Sequence, residues 1–222
     1  MHHVKLTENL RTIADMIPEH ARVLDIGCAR GHLLAWLTHH KSVHGRGIEL
    51  SNEKVQYAIS RGLSVVQGDA EVDIHHYQHD AYDYIILNQI LQQMRDPVQM
   101  LKQASHIARH VIVSVPNFGH WRNRWYFAWH GRMPVTKQLS YQWYETPNIH
   151  FCTLRDFSDF VTMLELRIDH TMIQSAHYMP DALMQHAWCA NVFGQKGIFL
   201  LSRGVDKVSH GEPMVQCAKN VI

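Results

Sequence analysis

The chain has 222 residues, 46% of them hydrophobic and 18% charged, which is enough to bury the core of one α/β domain and too apolar for a disordered chain. Lysine and arginine total 21 against 20 aspartates and glutamates, with no long run of one sign, so no electrostatic footprint for a nucleic acid or an anionic membrane is expected. Cys28, Cys152, Cys189 and Cys217 lie far apart without a Cys-x-x-Cys pair, which fits reduced thiols better than a disulfide framework.

Periodicity then sets the elements. Apolar residues at Leu6, Leu10, Ile13 and Ile17 predict a helix over Lys5–Ile17 that stops at Pro18. A strand at Val23–Ile26 leads through a glycine-bearing turn into a helix at His32–Thr38. A second strand is expected at Gly47–Leu50, followed by a helix to about Arg61 with Ser51 as its cap and Glu53 in its first turn. Strands follow at Leu63–Val66 and Tyr84–Leu87, the latter a continuous apolar run of the kind buried on both faces. Asp96-Pro97 opens a helix to about Ala108, with the acid as N-cap and proline at the first helical position.

A fifth strand at Val111–Val115 precedes a capping box, Thr153-x-x-Asp156, that starts a helix through Met163. Strands at Leu166–Ile173 and Gly197–Leu201, with a helical stretch at Asp181–Ala190 between them, are expected to form an antiparallel edge. This alternation predicts a Rossmann-like α/β domain over 1–203, its sheet about seven-stranded and mostly parallel, with helices on both faces. The residues 204–222 read as a polar tail. The opening MHHVKLTENL lacks the pattern of a cleaved leader, and no apolar run is long enough to span a bilayer, so a cytoplasmic location is expected. The 19 histidines include two groups, His39/His40/His44 and His75/His76/His79, but neither has metal-site spacing or a cysteine, and no metal is expected.

In an open α/β sheet, ligands bind beyond the carboxyl ends of the strands where strand order reverses. The turn after the first strand reads Asp25-Ile26-Gly27-Cys28-Ala29-Arg30-Gly31 and lacks the spacing of the dinucleotide fingerprint Gly-x-Gly-x-x-Gly. It resembles instead the first motif of methyltransferases that use S-adenosylmethionine (SAM). Glu49, ending the second strand, can accept from both ribose hydroxyls, and Asp69, after the third, from an adenine amino group. Asn88 and Gln89 end the fourth strand, where a methyl group would lie. Each acid also has an ordinary structural role open to it: Asp25 as a turn cap, Glu49 as a solvated side chain, Asp69 as an Asx-turn residue. If the turn needs a positive φ at position 29, alanine costs about 1 kcal/mol there. The only bases nearby in sequence are His120, Tyr144 and His150, none fixed by local spacing.

Pro116 to Phe151 is an aromatic and arginine-rich insertion holding Trp121, Trp125, Trp129 and Trp143 of the chain's six tryptophans. The first three recur every four residues, which stacks them along one helical face beside Arg122 and Arg124, with Arg132 shortly beyond. That face is either core packed over the sheet edge or a lid or partner surface of the composition that dominates binding hot spots. Base stacking is a third use, against which the near-neutral charge counts.

The blocks VLDIGCARGHLLAWL, PNFGHWRNR, GRMPVT and YQWYETPNIHFCTLRDF together resemble the MetW family of bacterial methionine-biosynthesis proteins, from about Leu10 to Leu201. The resemblance implies a class I methyltransferase-like fold and a role with homoserine O-acyltransferase (MetX). It also implies that Asp25, Gly27, Gly31, Glu49 and Asp69, with Asn88 beside them, form a pocket for SAM or S-adenosylhomocysteine. The family's first motif more commonly has glycine where this chain has Ala29, and no catalytic residue carries over. Two functions are therefore expected: a partner that supports the acyltransferase, or an autonomous methyltransferase of a small metabolite. A methyltransferase of RNA has no basic patch behind it.

Overall fold

The computed structural model describes residues 6–136, 141–175, 186–204 and 215–217. Its strands are β1 (Arg22–Ile26), β2 (His44–Glu49), β3 (Val65–Gln67), β4 (Tyr82–Asn88), β5 (Ala108–Pro116), β6 (Leu166–Ser175), β7 (Gly194–Arg203) and the short β8 (Val215–Cys217). They form one sheet in the order β3-β2-β1-β4-β5-β7-β6-β8. β3 through β5 run parallel, while β7 is antiparallel to both its neighbours, as expected for that edge. The seven expected strands are all present. β8, which pairs parallel with β6, is an addition from a segment whose polar, aperiodic sequence carries no strand signal.

The helices are α1 (Glu8–Asp15), α2 (His32–Lys41), α3 (Asn52–Ser60), the single turn α4 (Ala70–Asp73), α5 (Pro97–Ile107), α6 (Trp121–His130), α7 (Leu154–Met163) and α8 (Ala187–Phe193). Alternating strand residues divide the core between the two faces. Val23 of β1 and Ile86 of β4 pack with Ile13 and Ile17 from the α1 region and Leu37 of α2. Leu24, Ile85 and Leu87 pack with Leu101 and Ala104 of α5 and Phe157 of α7. Ile85, Ile86 and Leu87 are fully buried, as a central parallel strand requires.

Local capping signals translate directly where the partner lies within one turn. Asp96 accepts from the Gln99 N–H with Pro97 at the first helical position, and Thr153 and Asp156 exchange both bonds of the capping box. Ser51 occupies the N-cap of α3 but makes no side-chain cap bond; its own N–H donates to Glu49 Oε1 at 3.0 Å. Of the expected helix at Asp181–Ala190, the stretch 181–185 lies outside the described residues, and helix is found at Ala187–Phe193. Lys5 and most of the 204–222 tail also lie outside them.

Candidate functional site

Strand order reverses between β1 and β4, and a cleft of about 580 Å³ opens beyond their carboxyl ends. Its floor is the turn after β1. Gly27, Ala29 and Gly31 have φ of 69°, 50° and 68°, so three alternate residues are left-handed. The Gly27 and Cys28 N–H groups both donate to Ile48 O, at 2.8 and 3.2 Å, which clamps the turn to β2. A Cβ on Gly27 would stand 2.2 Å from Ile90 Cδ1, so a side chain here would have to displace that methyl group as well as hold the left-handed backbone that favours glycine. A Cβ on Gly31 would meet Leu63 Cδ1 at 2.6 Å; this glycine seats α2 against the α3–β3 corner and does not line the cleft.

The alternation turns the Ala29 N–H toward β2, where it donates to Glu49 Oε2 at 2.9 Å. Glu49 is 7% exposed and holds the two ends of the floor together: one oxygen takes Ala29, the other takes Ser51, with Lys54 Nζ at 3.6 Å. It is therefore not a solvated side chain. Each oxygen keeps a second lone pair for a hydroxyl. Asp25 lies beneath the turn, 3% exposed. Burial first, and then the Glu49 charge, pushes its carboxyl up to about 7. Cys28, packed against Gly47 of β2, has its thiol pushed up chiefly by burial and is inert.

Asp69 lines the cleft and is exposed, while its Oδ1 accepts from the Glu71 N–H at 3.0 Å as the cap of α4. The Asx role is real and engages one of the two carboxylate oxygens. Glu71 in turn accepts from the Arg95 and Asp96 N–H groups, tying α4 to the start of α5. Asn88 is held by Asn9 of α1 and Ser114 of β5, which donate to its Oδ1 at 2.8 and 2.7 Å. Glu49, Asp69, Asn88 and Gly27 thus border one cleft, with Asp25 under it and Gly31 behind it.

Sequence reasoning missed Asn9, Ser114, Lys54 and Ile149. Ser114 carries a signal, since it is the one hydroxyl inside the apolar run Val111–Val115. Asn9 sits one turn before Ile13 on the buried side of α1, a polar residue on an apolar stripe. Nothing local marks the other two.

The three candidate bases do not reach the cleft. His120 is buried at the N-cap of α6, where its Nδ1 accepts from the Arg122 N–H, and burial followed by the Arg122 charge holds its pKa below the usual histidine range. Tyr144 and His150 are exposed. No histidine, tyrosine or cysteine lines the cleft among the described residues. Ile149 lines the cleft, and its N–H and that of His150 donate to Gln92 O, while Phe151 packs on Phe118 with ring centroids 4.8 Å apart. The voids around this ring pair are small, about 10 and 20 Å³. A wider depression of about 890 Å³ between Arg22, His44, Arg46 and Tyr77 lies toward the opposite ends of the strands, away from the switch point.

The tryptophans of α6 are not core. Trp125 is 63% and Trp129 75% exposed, which overturns the reading of α6 as a helix packed over the sheet. Four-residue spacing fixes that the rings share a face and says nothing of what covers it; Trp125 and Trp129 do stack, at 5.7 Å.

The fold defines the class: a Rossmann-like α/β domain of the methyltransferase type. Similar solved structures are a SAM-dependent methyltransferase from Archaeoglobus fulgidus (13% identity, 87% of this chain and 91% of that one, TM-score 0.63) and one from Methanosarcina mazei (14%, 88% and 98%, TM-score 0.62). The cyclase SpnF shares the fold as well (14%, 89% and 81%, TM-score 0.61), so the architecture alone does not specify methyl transfer. The sequence matches the family described as methionine biosynthesis protein MetW over residues 7–201. The chain belongs to the MetW family. A curated relative, the bifunctional methionine biosynthesis protein MetXA/MetW of Rhodopirellula baltica, is 31% identical over 175 residues, covering 75% of this chain. The match spans 28% of that relative's length. No helix among the described residues is long and apolar enough to cross a membrane.

Proposed function

We propose that this protein binds homoserine O-acyltransferase and supports its acylation of homoserine, with the cleft holding SAM or S-adenosylhomocysteine as a regulatory ligand. The observation that carries this reading is the relative in which MetXA and MetW are one polypeptide, an arrangement that holds the two at high effective concentration. The site supports the non-catalytic half of the reading. Methyl transfer needs an open path for an acceptor and, for most acceptors, a group to take its proton. Among the described residues the cleft lining holds no histidine, tyrosine or cysteine to take that proton.

In the ligand assignment, Glu49 takes the ribose hydroxyls, Asp69 the adenine amino group, and Gly27 and Asn88 border the methionine end. Calorimetric titration with SAM and S-adenosylhomocysteine, then with purified acyltransferase, tests both parts. Binding of neither partner nor nucleoside refutes the proposal. The cleft's acids at three successive strand ends equally support a second reading, an autonomous methyltransferase of a small metabolite. Transfer of a labelled methyl group from SAM into a cell extract, dependent on Glu49, would establish it.

A further inference from the structure

Helix α6 is anchored at one end. Asn117, 2% exposed, donates from Nδ2 to Asn191 O and Gly194 O at 2.8 and 2.7 Å and accepts the Gly119 N–H at 2.9 Å. His120 caps the helix, and Asn123, its one buried residue, donates to Phe118 O at 3.0 Å. Beyond Asn123 the helix leaves its aromatic side chains largely in water, Phe127 at 53% exposure beside the two tryptophans. A rigid, polar-buried root therefore presents about 10 Å of aromatic helix to water.

The rings are already ordered. Trp125 stacks on Trp129, and Tyr126 on His130 at 4.4 Å, so a partner meets side chains whose rotamer freedom is already restricted. Arg122 and Arg132 flank them, and no aspartate or glutamate occurs from Pro116 to Tyr144 in a chain that is otherwise close to neutral. A two-fold pairing of this face with a second copy would bring arginines to arginines with no acid between them.

The geometry points to α6 as the face on which homoserine O-acyltransferase docks, its Trp125–Trp129 ridge entering an apolar groove whose carboxylates meet Arg122 and Arg132. This rests on the partnership proposed above. The partner it requires is one with an apolar groove and an acidic rim, and the fused MetXA/MetW relative supports the acyltransferase in that place.

The test uses the full chain and the purified cognate acyltransferase, with Trp125→Ala/Trp129→Ala and, separately, Arg122→Glu. The double variant should weaken binding by about 30-fold or more, the loss expected of two hot-spot aromatics, while its melting temperature and SAM titration match the wild type. Arg122→Glu should weaken binding and flatten its dependence on salt. Wild-type binding that both variants retain overturns the docking face and leaves the partnership standing. Failure of the wild type to bind overturns the partnership and the face with it. A wild-type dimer, or wild-type binding to a single-stranded RNA oligomer, that the double variant abolishes would assign the face to that occupant instead.

Discussion

Replacing Ala29 by glycine should stabilise the protein. A left-handed conformation costs an L-residue about 1–2 kcal/mol, and Ala29 holds φ of 50° because its N–H must reach Glu49. Its methyl group is exposed, so deleting it removes no buried contact. Glycine brings back roughly 0.5–1 kcal/mol of unfolded-chain entropy, which leaves a net gain of about 0.5–1 kcal/mol. For a chain of this size that is a rise in melting temperature of about 1–4 °C. Differential scanning calorimetry of Ala29→Gly beside Ala35→Gly provides the contrast. Ala35 is buried inside α2, where glycine should lower the melting temperature. The backbone donor to Glu49 is kept, so SAM affinity should hold or rise. A fall in melting temperature for Ala29→Gly would refute the claim that the turn is strained at this residue.

Glu49→Ala removes the acceptor of two backbone N–H groups and should cost about 1–3 kcal/mol of stability together with nucleoside binding; unchanged SAM affinity would refute the cleft assignment. Asp69→Ala should cost about 1 kcal/mol through the α4 cap and also lose SAM affinity, read by the same melting and titration. The Asp25 carboxyl is raised in the fold, so its protonated form contributes stability that is present in acid and lost as pH rises from about 4 toward 7. Asp25→Asn should therefore be more stable than wild type at pH 8, by up to about 4 kcal/mol, with the advantage shrinking toward pH 4; an advantage independent of pH contradicts this. Ile149 borders the cleft and Phe151 packs on Phe118 at the root of α6. SAM and the acyltransferase should accordingly change each other's affinity by the same factor, and identical binding constants with and without the other ligand would refute that coupling.

The strands and the capped helices were legible because their causes are local. Apolar β-branched runs predict β4 and β5, and Asp96 and Thr153 find their partners within three residues. The three acids and two glycines could be read as a set because each follows a strand end, and parallel topology gathers strand ends. Ser51 takes the N-cap position of α3 as expected, but its hydroxyl makes no cap bond, and the residue type alone marks the position without fixing the rotamer. The positive φ of Ala29 was foreseeable only as a condition, since alanine itself gives no left-handed signal. The Asn9–Asn88 bond joins residues 79 apart and has no local trace. The exposure of Trp125 and Trp129 was illegible for a different reason: a stripe at four-residue spacing is the same pattern whether a core or a partner covers it.

The rate of homoserine acylation by the cognate acyltransferase, measured with and without this protein, tests the proposed partnership most directly. A rise of several-fold that saturates near equimolar protein, and that the Trp125→Ala/Trp129→Ala variant fails to produce, is the predicted result. An unchanged rate at every ratio, with SAM present or absent, would contradict it.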